Sequence, residues 1–281
     1  MSNITASMVQ ELRKRTGVGM TKCKEALVES GGDMEAAIDF LRKAGAASAV
    51  KKSARETNEG AIGFVENEAG IALVEVNAET DFVTQNDLFK EYLTDVCNEA
   101  LHSKQNDVAA FLEQQHSNKG ETIEEGRIAL VQAIGENIQI KRVAFMPKQQ
   151  SHSYGIYSHM GGKIVVAVEL AGSDSCDTLA RDVAMHAAAE GPEYLRPEDV
   201  PSETIERERA IAQEQVKNKP ANIIDKIVDG KLGAFYDQVC LPRQKFVKDP
   251  SVTVAQYVES EGKEKGATLT ISAFIRWQVG E

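Results

Sequence analysis

Three carboxylates, Glu75, Glu79 and Asp81, flank or fall within the run Glu79-Thr80-Asp81-Phe82-Val83. Carboxylates this close in sequence can ligate a hard cation or divide acid and base roles, but they lack the spacing of an EF-hand loop. A solvated acidic rim is the plainer reading. Phe82 sits beside Asp81 where an apolar stretch, Ile71-Ala72-Leu73-Val74-Glu75-Val76, passes towards the helical pattern Asp87-Leu88-Phe89-Lys90-Glu91-Tyr92-Leu93. An aromatic ring in such a turn is either a core plug or a probe aimed at another molecule. On residue type alone it belongs in the core, because large aromatics are usually substantially buried. Of the five histidines, His186 follows Val183 on an apolar helical stripe, so a core histidine hydrogen-bonded to backbone is expected. His159 falls at a predicted hairpin tip, where an external contact is equally open, and His102, His116 and His152 sit in polar loops.

Chemistry with a recognisable spacing is otherwise missing. The sequence has no GxxxxGK[ST] loop, no GxGxxG after a strand, no GxSxG elbow and no HExxH pair. Gly161-Gly162-Lys163 resembles half a phosphate loop, but it lies in a predicted hairpin turn without the helix N-terminus that a phosphate site needs. The four cysteines, Cys23, Cys97, Cys176 and Cys240, form no CxxC pair, which argues against a zinc knuckle and a disulfide scaffold. Neither metal nor cofactor is expected, and a nucleotide, if one is involved, must belong to a partner.

The whole chain narrows the partner. Its 281 residues suit roughly two domains. A composition 42% hydrophobic and 27% charged is that of a soluble globular protein. The balance of 43 acidic against 32 basic residues gives a formal net charge of −11, which disfavours tracking nucleic-acid phosphates. Arg13-Lys14-Arg15 and Lys51-Lys52 read as solvated helix faces. No apolar run is long enough to span a bilayer, and Met1-Ser2-Asn3-Ile4-Thr5 lacks the features of a secretory signal, so a cytoplasmic protein is expected.

Periodicity then places the elements. Residues 1–45 read as three short helices: Thr5 caps Ala6 to Arg15, Thr21 to Glu29 follows the turn Gly17-Val18-Gly19-Met20, and Asp33 caps a third helix striped by Met34, Ala37, Ile38 and Leu41. Residues 46–59 read as a linker helix without a clear apolar stripe. A repeat follows. Gly63-Phe64-Val65 and Ile71 to Val76 form one hairpin, and Gly155-Ile156-Tyr157 and Ile164 to Leu170 form another. Helices Leu88 to Leu101 and Cys176 to Ala189 come next, and closing strands Ile138 to Val143 and Leu269 to Trp277 complete the copies. This predicts an α+β fold with two related antiparallel-sheet and helix subdomains, 60–146 and 147–281. A helical hairpin insertion, 202–240, breaks at Asn218-Lys219-Pro220.

Several of these segments together resemble bacterial elongation factor Ts. They are Gly17-Val18-Gly19-Met20-Thr21-Lys22-Cys23-Lys24-Glu25-Ala26-Leu27, Gly31-Gly32-Asp33-Met34-Glu35-Ala36-Ala37-Ile38, Thr80-Asp81-Phe82-Val83, Gly135-Glu136-Asn137-Ile138, Ala184-Met185-His186 and Phe274-Ile275-Arg276-Trp277-Gln278-Val279-Gly280-Glu281. The matches run in register over nearly the whole chain. The resemblance implies an N-terminal ubiquitin-associated-like three-helix module. It also implies a non-enzymatic guanine-nucleotide exchange factor for the translational GTPase elongation factor Tu. In such a factor, the ring of Phe82 would insert between helices of the GTPase and help displace Mg²⁺, with Asp81 as its polar neighbour and Thr80 and Val83 on either side. Arg13, Met20 and Lys24 of the N-terminal module match contact positions, as do Ile134, Gly135, His159 and Val247 of the core. Departures fall at Thr21 and Lys248, where methionine is familiar, at Lys245, in place of a proline, and at Lys163, in place of an arginine. Many relatives continue past the position of Glu281 with one more helix.

Two rivals remain at this point: a non-catalytic adaptor that binds partners without affecting nucleotide, and an acid–base or metal-dependent activity at Glu75, Glu79 and Asp81. The predicted arm leaves open a monomer, a homodimer or a heterotetramer with elongation factor Tu.

Overall fold

In the computed structural model, which describes residues 4–281, the apolar positions gather into several clusters rather than one continuous core. Met1 to Asn3, which the reading of the N-terminus includes, lie outside the described residues. The chain divides into two compact units, 1–147 with 278–281 and 148–277. Helices and small antiparallel sheets mix in both, giving an α+β protein.

The first unit begins with α1 (Ala6–Thr16), α2 (Met20–Glu29) and α3 (Met34–Lys52). Thr5 caps α1 by accepting from the Met8 amide, and Asp33 caps α3 by accepting from the Ala36 amide, each satisfying one of the donors a helix start leaves free. Val9, Leu12, Val18, Cys23, Ala26, Leu27, Ala37 and Leu41 bury one another in a small cluster. Helix α3 does not stop there. It runs unbroken through the Ala- and Lys-rich stretch to Lys52, so the irregular connection shrinks to 53–58. No apolar stripe was visible in that stretch because its buried contacts are made by small residues. Gly45 and Ala49 bring α3 against α7 (Ile123–Ile134), and Ala49 enters the main core of the unit.

That core lies under the sheet β1 (Glu59–Glu66), β2 (Gly70–Ala78) and β3 (Ile138–Pro147), in the order β1-β2-β3. β2 is central and wholly buried, and it pairs antiparallel with both neighbours. The register shifts between Glu75 and Val76, where an extra residue of β3 bulges. Helix α5 (Asp87–Ser103) crosses β1 and β2, packing Phe89, Val96, Cys97 and Ala100 against Ala72, Val74 and Val76. A short helix α6 (Val108–Glu113) and α7, both absent from the sequence expectations, fill the connection to β3. His116, read above as a polar-loop residue, is buried there: its ring Nε2 lies 2.8 Å from Asp95 Oδ2, and its Nδ1 accepts from the Asn118 amide.

The second unit repeats the strand order. β4 (His152–His159) pairs antiparallel with β5 (Ile164–Ala171), β8 (Thr270–Gln278) lies on the other side of β5, and α8 (Asp177–Glu190) packs on β4 and β5. Gly155 is where the helix comes closest: a Cβ there would collide with the backbone of Ala180 and Arg181. The arm consists of α9 (Ser202–Val216) and α10 (Ala221–Val239), which zip together through Ala212, Val216, Val228 and Leu232. Gly230 and Gly233 do not interrupt α10, since intrahelical bonding and this packing outweigh their weak propensity. A two-stranded ribbon, β6 (Lys245–Phe246) and β7 (Asp249–Thr253), and α11 (Val254–Glu264) lead to β8.

Gly155→Ala should cost at least the ~1–3 kcal/mol typical of overpacking, because the obstruction is main chain and cannot rotate away. A fall in the urea midpoint at unchanged m-value is the expected readout.

Candidate functional site

The run Thr80 to Val83 sits where β2 leaves the sheet. Thr80 is extended, and the chain then makes one helical turn, α4 (Asp81–Thr84), before Asn86 caps α5 through the Leu88 amide. A helix turns by about 100° per residue, so neighbours in sequence face different ways. Val83 points inward and is buried in the main core, whereas Phe82 is 84% exposed, the largest exposure among the large hydrophobic side chains described. Residue type alone placed this ring in the core. The structure reverses that, because Val83 takes the one inward position of so short a turn. Asp81 is exposed beside it.

Two loops hold this turn from below. The Glu136 carboxylate accepts from the Thr80 amide at 3.0 Å and from the Thr80 hydroxyl at 2.8 Å. Glu79 returns the arrangement by accepting from the Asn137 amide at 2.6 Å. Arg55 donates to Glu79 at 3.1 Å, and the Asn137 side chain donates to the Arg55 carbonyl at 2.8 Å. The Asn137 amide, with Arg55 adding to it against a smaller opposing effect of burial, holds the Glu79 carboxyl below the usual carboxylate range. Gly135 makes the loop feasible: it ends α7 at φ +95°, and its amide returns to the Val131 carbonyl at 2.9 Å.

The same geometry dissolves the carboxylate cluster considered as a cation or acid–base site. Glu75 is fully buried in β2 and paired with Arg142, whose Nε donates at 2.6 Å. Glu79 is committed to Asn137 and Arg55, and Asp81 faces solvent. Four residues of extended chain, roughly 13 Å, separate Glu75 in β2 from Glu79 beyond its end, and Asp81 lies on α4, so carboxylates close in sequence do not converge. Among the described residues no group of three or more His, Cys, Asp or Glu side chains is placed to hold a metal ion.

The other candidate positions fall as follows. In the first unit, Arg13 is exposed near the end of α1, and Met20 and Lys24 are exposed one turn apart on α2. Leu88, not among the candidates, is exposed at the start of α5 and lies 4.0 Å from where a Cβ on Gly17 would stand. Gly135 is exposed at the end of α7, but Ile134 is half-buried against the main core. In the second unit, His159 is exposed at the end of β4, with its ring stacked on Tyr157 and followed by an exposed Met160. Val247 is exposed in the β6–β7 turn. Its amide donates to Nδ1 of the fully buried His186 at 3.1 Å, and Nε2 of that ring meets Gln244 Oε1 at 3.0 Å. His186 is thus the core histidine bonded to backbone that its helical position suggested. What sequence reasoning missed is Glu136: it lay inside a recognised segment, but a carboxylate after a helix-ending glycine carries no local mark of a partner 56 residues away.

The family model described as elongation factor TS matches residues 79–281, most of the chain and the whole of the turn just described. The chain belongs to the elongation factor Ts family. Elongation factor Ts of Protochlamydia amoebophila is 53% identical over 282 residues, covering 100% of both chains. The proteins of that name from Chlamydia muridarum and Chlamydia felis are 43% and 41% identical over 281 residues, again with full coverage of both chains. Membership in the elongation factor Ts family makes this a protein of translation elongation, of the nucleotide-exchange kind. Among the described residues no helix is long and apolar enough to cross a membrane.

Burial holds the His186 pKa below its ordinary value of 6.5, with the Gln244 bond opposing in part. The unfolded chain therefore binds a proton more readily, and the neutral ring contributes stability above about pH 6.5 that is lost as pH falls towards the folded-state value. Urea midpoints measured downward from pH 7.5 should fall through this window, and His186→Gln should flatten that step.

Proposed function

We propose that this chain is a guanine-nucleotide exchange factor for elongation factor Tu: it binds the GDP-bound form, displaces Mg²⁺ and promotes GDP release so that GTP can bind. The observation that supports this most is Phe82, an aromatic ring held almost fully in solvent beside a buried Val83, in a chain of the elongation factor Ts family. Exposing a phenylalanine forgoes roughly 1.5–3 kcal/mol of burial, which a partner's apolar site can recover.

In this reading the protein makes and breaks no covalent bond. It binds the nucleotide-free GTPase more tightly than the loaded one, so nucleotide weakens the factor's grip by the same free energy. Mg²⁺ is a large local charge holding the phosphates, and its loss is the step that frees GDP. Each 1.4 kcal/mol of differential binding is about tenfold in affinity, so one ring does not suffice. The remaining contacts must hold the GTPase while Phe82 works: Arg13, Met20, Lys24, Ile134, Gly135, His159 and Val247, with Thr80, Asp81 and Val83 shaping the turn. Residues 1–45 act as a ubiquitin-associated-like module joined by 46–59 to the core subdomains 60–146 and 147–281. The arm 202–240 offers a surface for a homodimer or for a heterotetramer with elongation factor Tu. The setting is the cytoplasm, where that GTPase works.

Phe82→Ala should fold with an unchanged melting temperature and slow factor-stimulated release of a fluorescent GDP analogue from elongation factor Tu by about 10- to 100-fold, as expected from losing one buried phenylalanine. An unchanged release rate would leave an adaptor as the better description.

A further inference from the structure

The turn that presents Phe82 is too short to hold itself. A single four-residue turn lies far below the length at which a helix is stable in water, and no side-chain bond from Thr80 caps it. Its lower side is anchored by Val83 in the core and its exit by the Asn86 cap on α5. At its entry Glu79 is tied to Asn137 and Arg55, but Thr80 itself, the residue that leads into α4, is held by both oxygens of Glu136, which reach its amide and its hydroxyl. The Thr80 hydroxyl, which would cap α4 in the usual way, is turned to Glu136 instead. Glu136 is held in turn, since its neighbour Asn137 is nearly fully buried and bonded to Glu79 and to the Arg55 carbonyl.

From this geometry we infer that Glu136 is a positioning residue for Phe82: its carboxylate fixes the entry of α4 and so the direction in which the ring is presented. The inference rests on the exchange reading. Glu136 acts through Thr80 and the ring, not by touching the GTPase. Two bonds to one carboxylate fix orientation as well as distance, and a misdirected reacting group loses rate rather than binding. The role needs acceptor geometry, not charge. A glutamine can keep both bonds, because the Thr80 amide still finds the amide oxygen and the hydroxyl can turn to accept from the NH₂ group.

The test measures stimulated GDP release from elongation factor Tu over a range of factor concentrations for the full chain and its Glu136→Ala, Glu136→Gln, Phe82→Ala and Glu136→Ala/Phe82→Ala variants. Glu136→Ala should lower the maximal release rate about tenfold, equivalent to about 1.4 kcal/mol, with little change in the half-saturating concentration. Glu136→Gln should keep most of the rate, and the double variant should be no slower than Phe82→Ala alone. Three results would overturn the inference: a normal maximal rate in Glu136→Ala, equal damage in Glu136→Gln and Glu136→Ala, or multiplying losses in the double variant. The last two would mark a direct charged contact or an independent role. A normal rate in Phe82→Ala would instead reject the exchange reading itself. If Glu136→Ala does not fold, Thr80→Val carries the same comparison, since it deletes only the 2.8 Å hydroxyl bond.

Discussion

An exposed phenylalanine on a single helical turn stays in place only if the chain on both sides is fixed, and here that work falls to two loops that cross-bond. Glu136 takes the amide and hydroxyl of Thr80, while Glu79, the residue before Thr80, takes the amide of Asn137, the residue after Glu136. Each loop spends its carboxylate on the other's backbone. Arg55 joins by binding Glu79 and accepting from Asn137, so the connection after α3 is tied to the same node. Charged acceptors on backbone amides are among the stronger hydrogen bonds available. They serve here where little apolar area could be buried.

The rest of the first unit can be seen as the support for that node. β2 delivers Glu79 and Thr80, β3 begins immediately after Asn137, and Ala78 pairs with Ile138 between them. Helix α5 starts just beyond α4 and is pinned to the sheet by fully buried Phe89. Helix α3, continuous from the N-terminal cluster to Lys52, packs Gly45 and Ala49 on the α7 side of the same core. The exposed residues of α2 are thereby carried on a rod rather than on a string.

The second unit uses the same strand order for a different display. It exposes His159 with Met160 at one hairpin, beside the Tyr157 ring, and Val247 at another turn, where the support is a buried polar group. Val247 is held by the neutral ring of His186, which Gln244 orients in turn; Gln244 itself donates to the carbonyls of Gln238 and Glu190. A buried imidazole is an unusual way to hold a surface turn, but every polar atom of the ring has a partner, so its burial is compensated.

The hairpins, the covering helices and the arm were legible in the sequence because period-2 and period-3.6 patterns report directly which residues face the core. The segment carrying Phe82 was legible only through its resemblance to a family. The stretch after residue 45 reads only as a linker helix, since the continuation of α3 buries small residues at a close contact and leaves no apolar stripe; helix α7 was missed although the Thr122–Glu125 capping box marks its start. The cation reading of Glu75, Glu79 and Asp81 failed for a related reason: closeness along the chain does not say that Glu75 is claimed by Arg142, Glu79 by Asn137 and Arg55, and Asp81 by solvent. By itself, then, the sequence determined the α+β class, the repeated strand-helix order and the family. Only the tertiary structure decided that Phe82 faces outward, that Glu75 is buried on Arg142 and that Glu136 reaches Thr80. Those outcomes depend on which long-range partner claims each polar group, and a contact spanning dozens of residues leaves no local pattern to read.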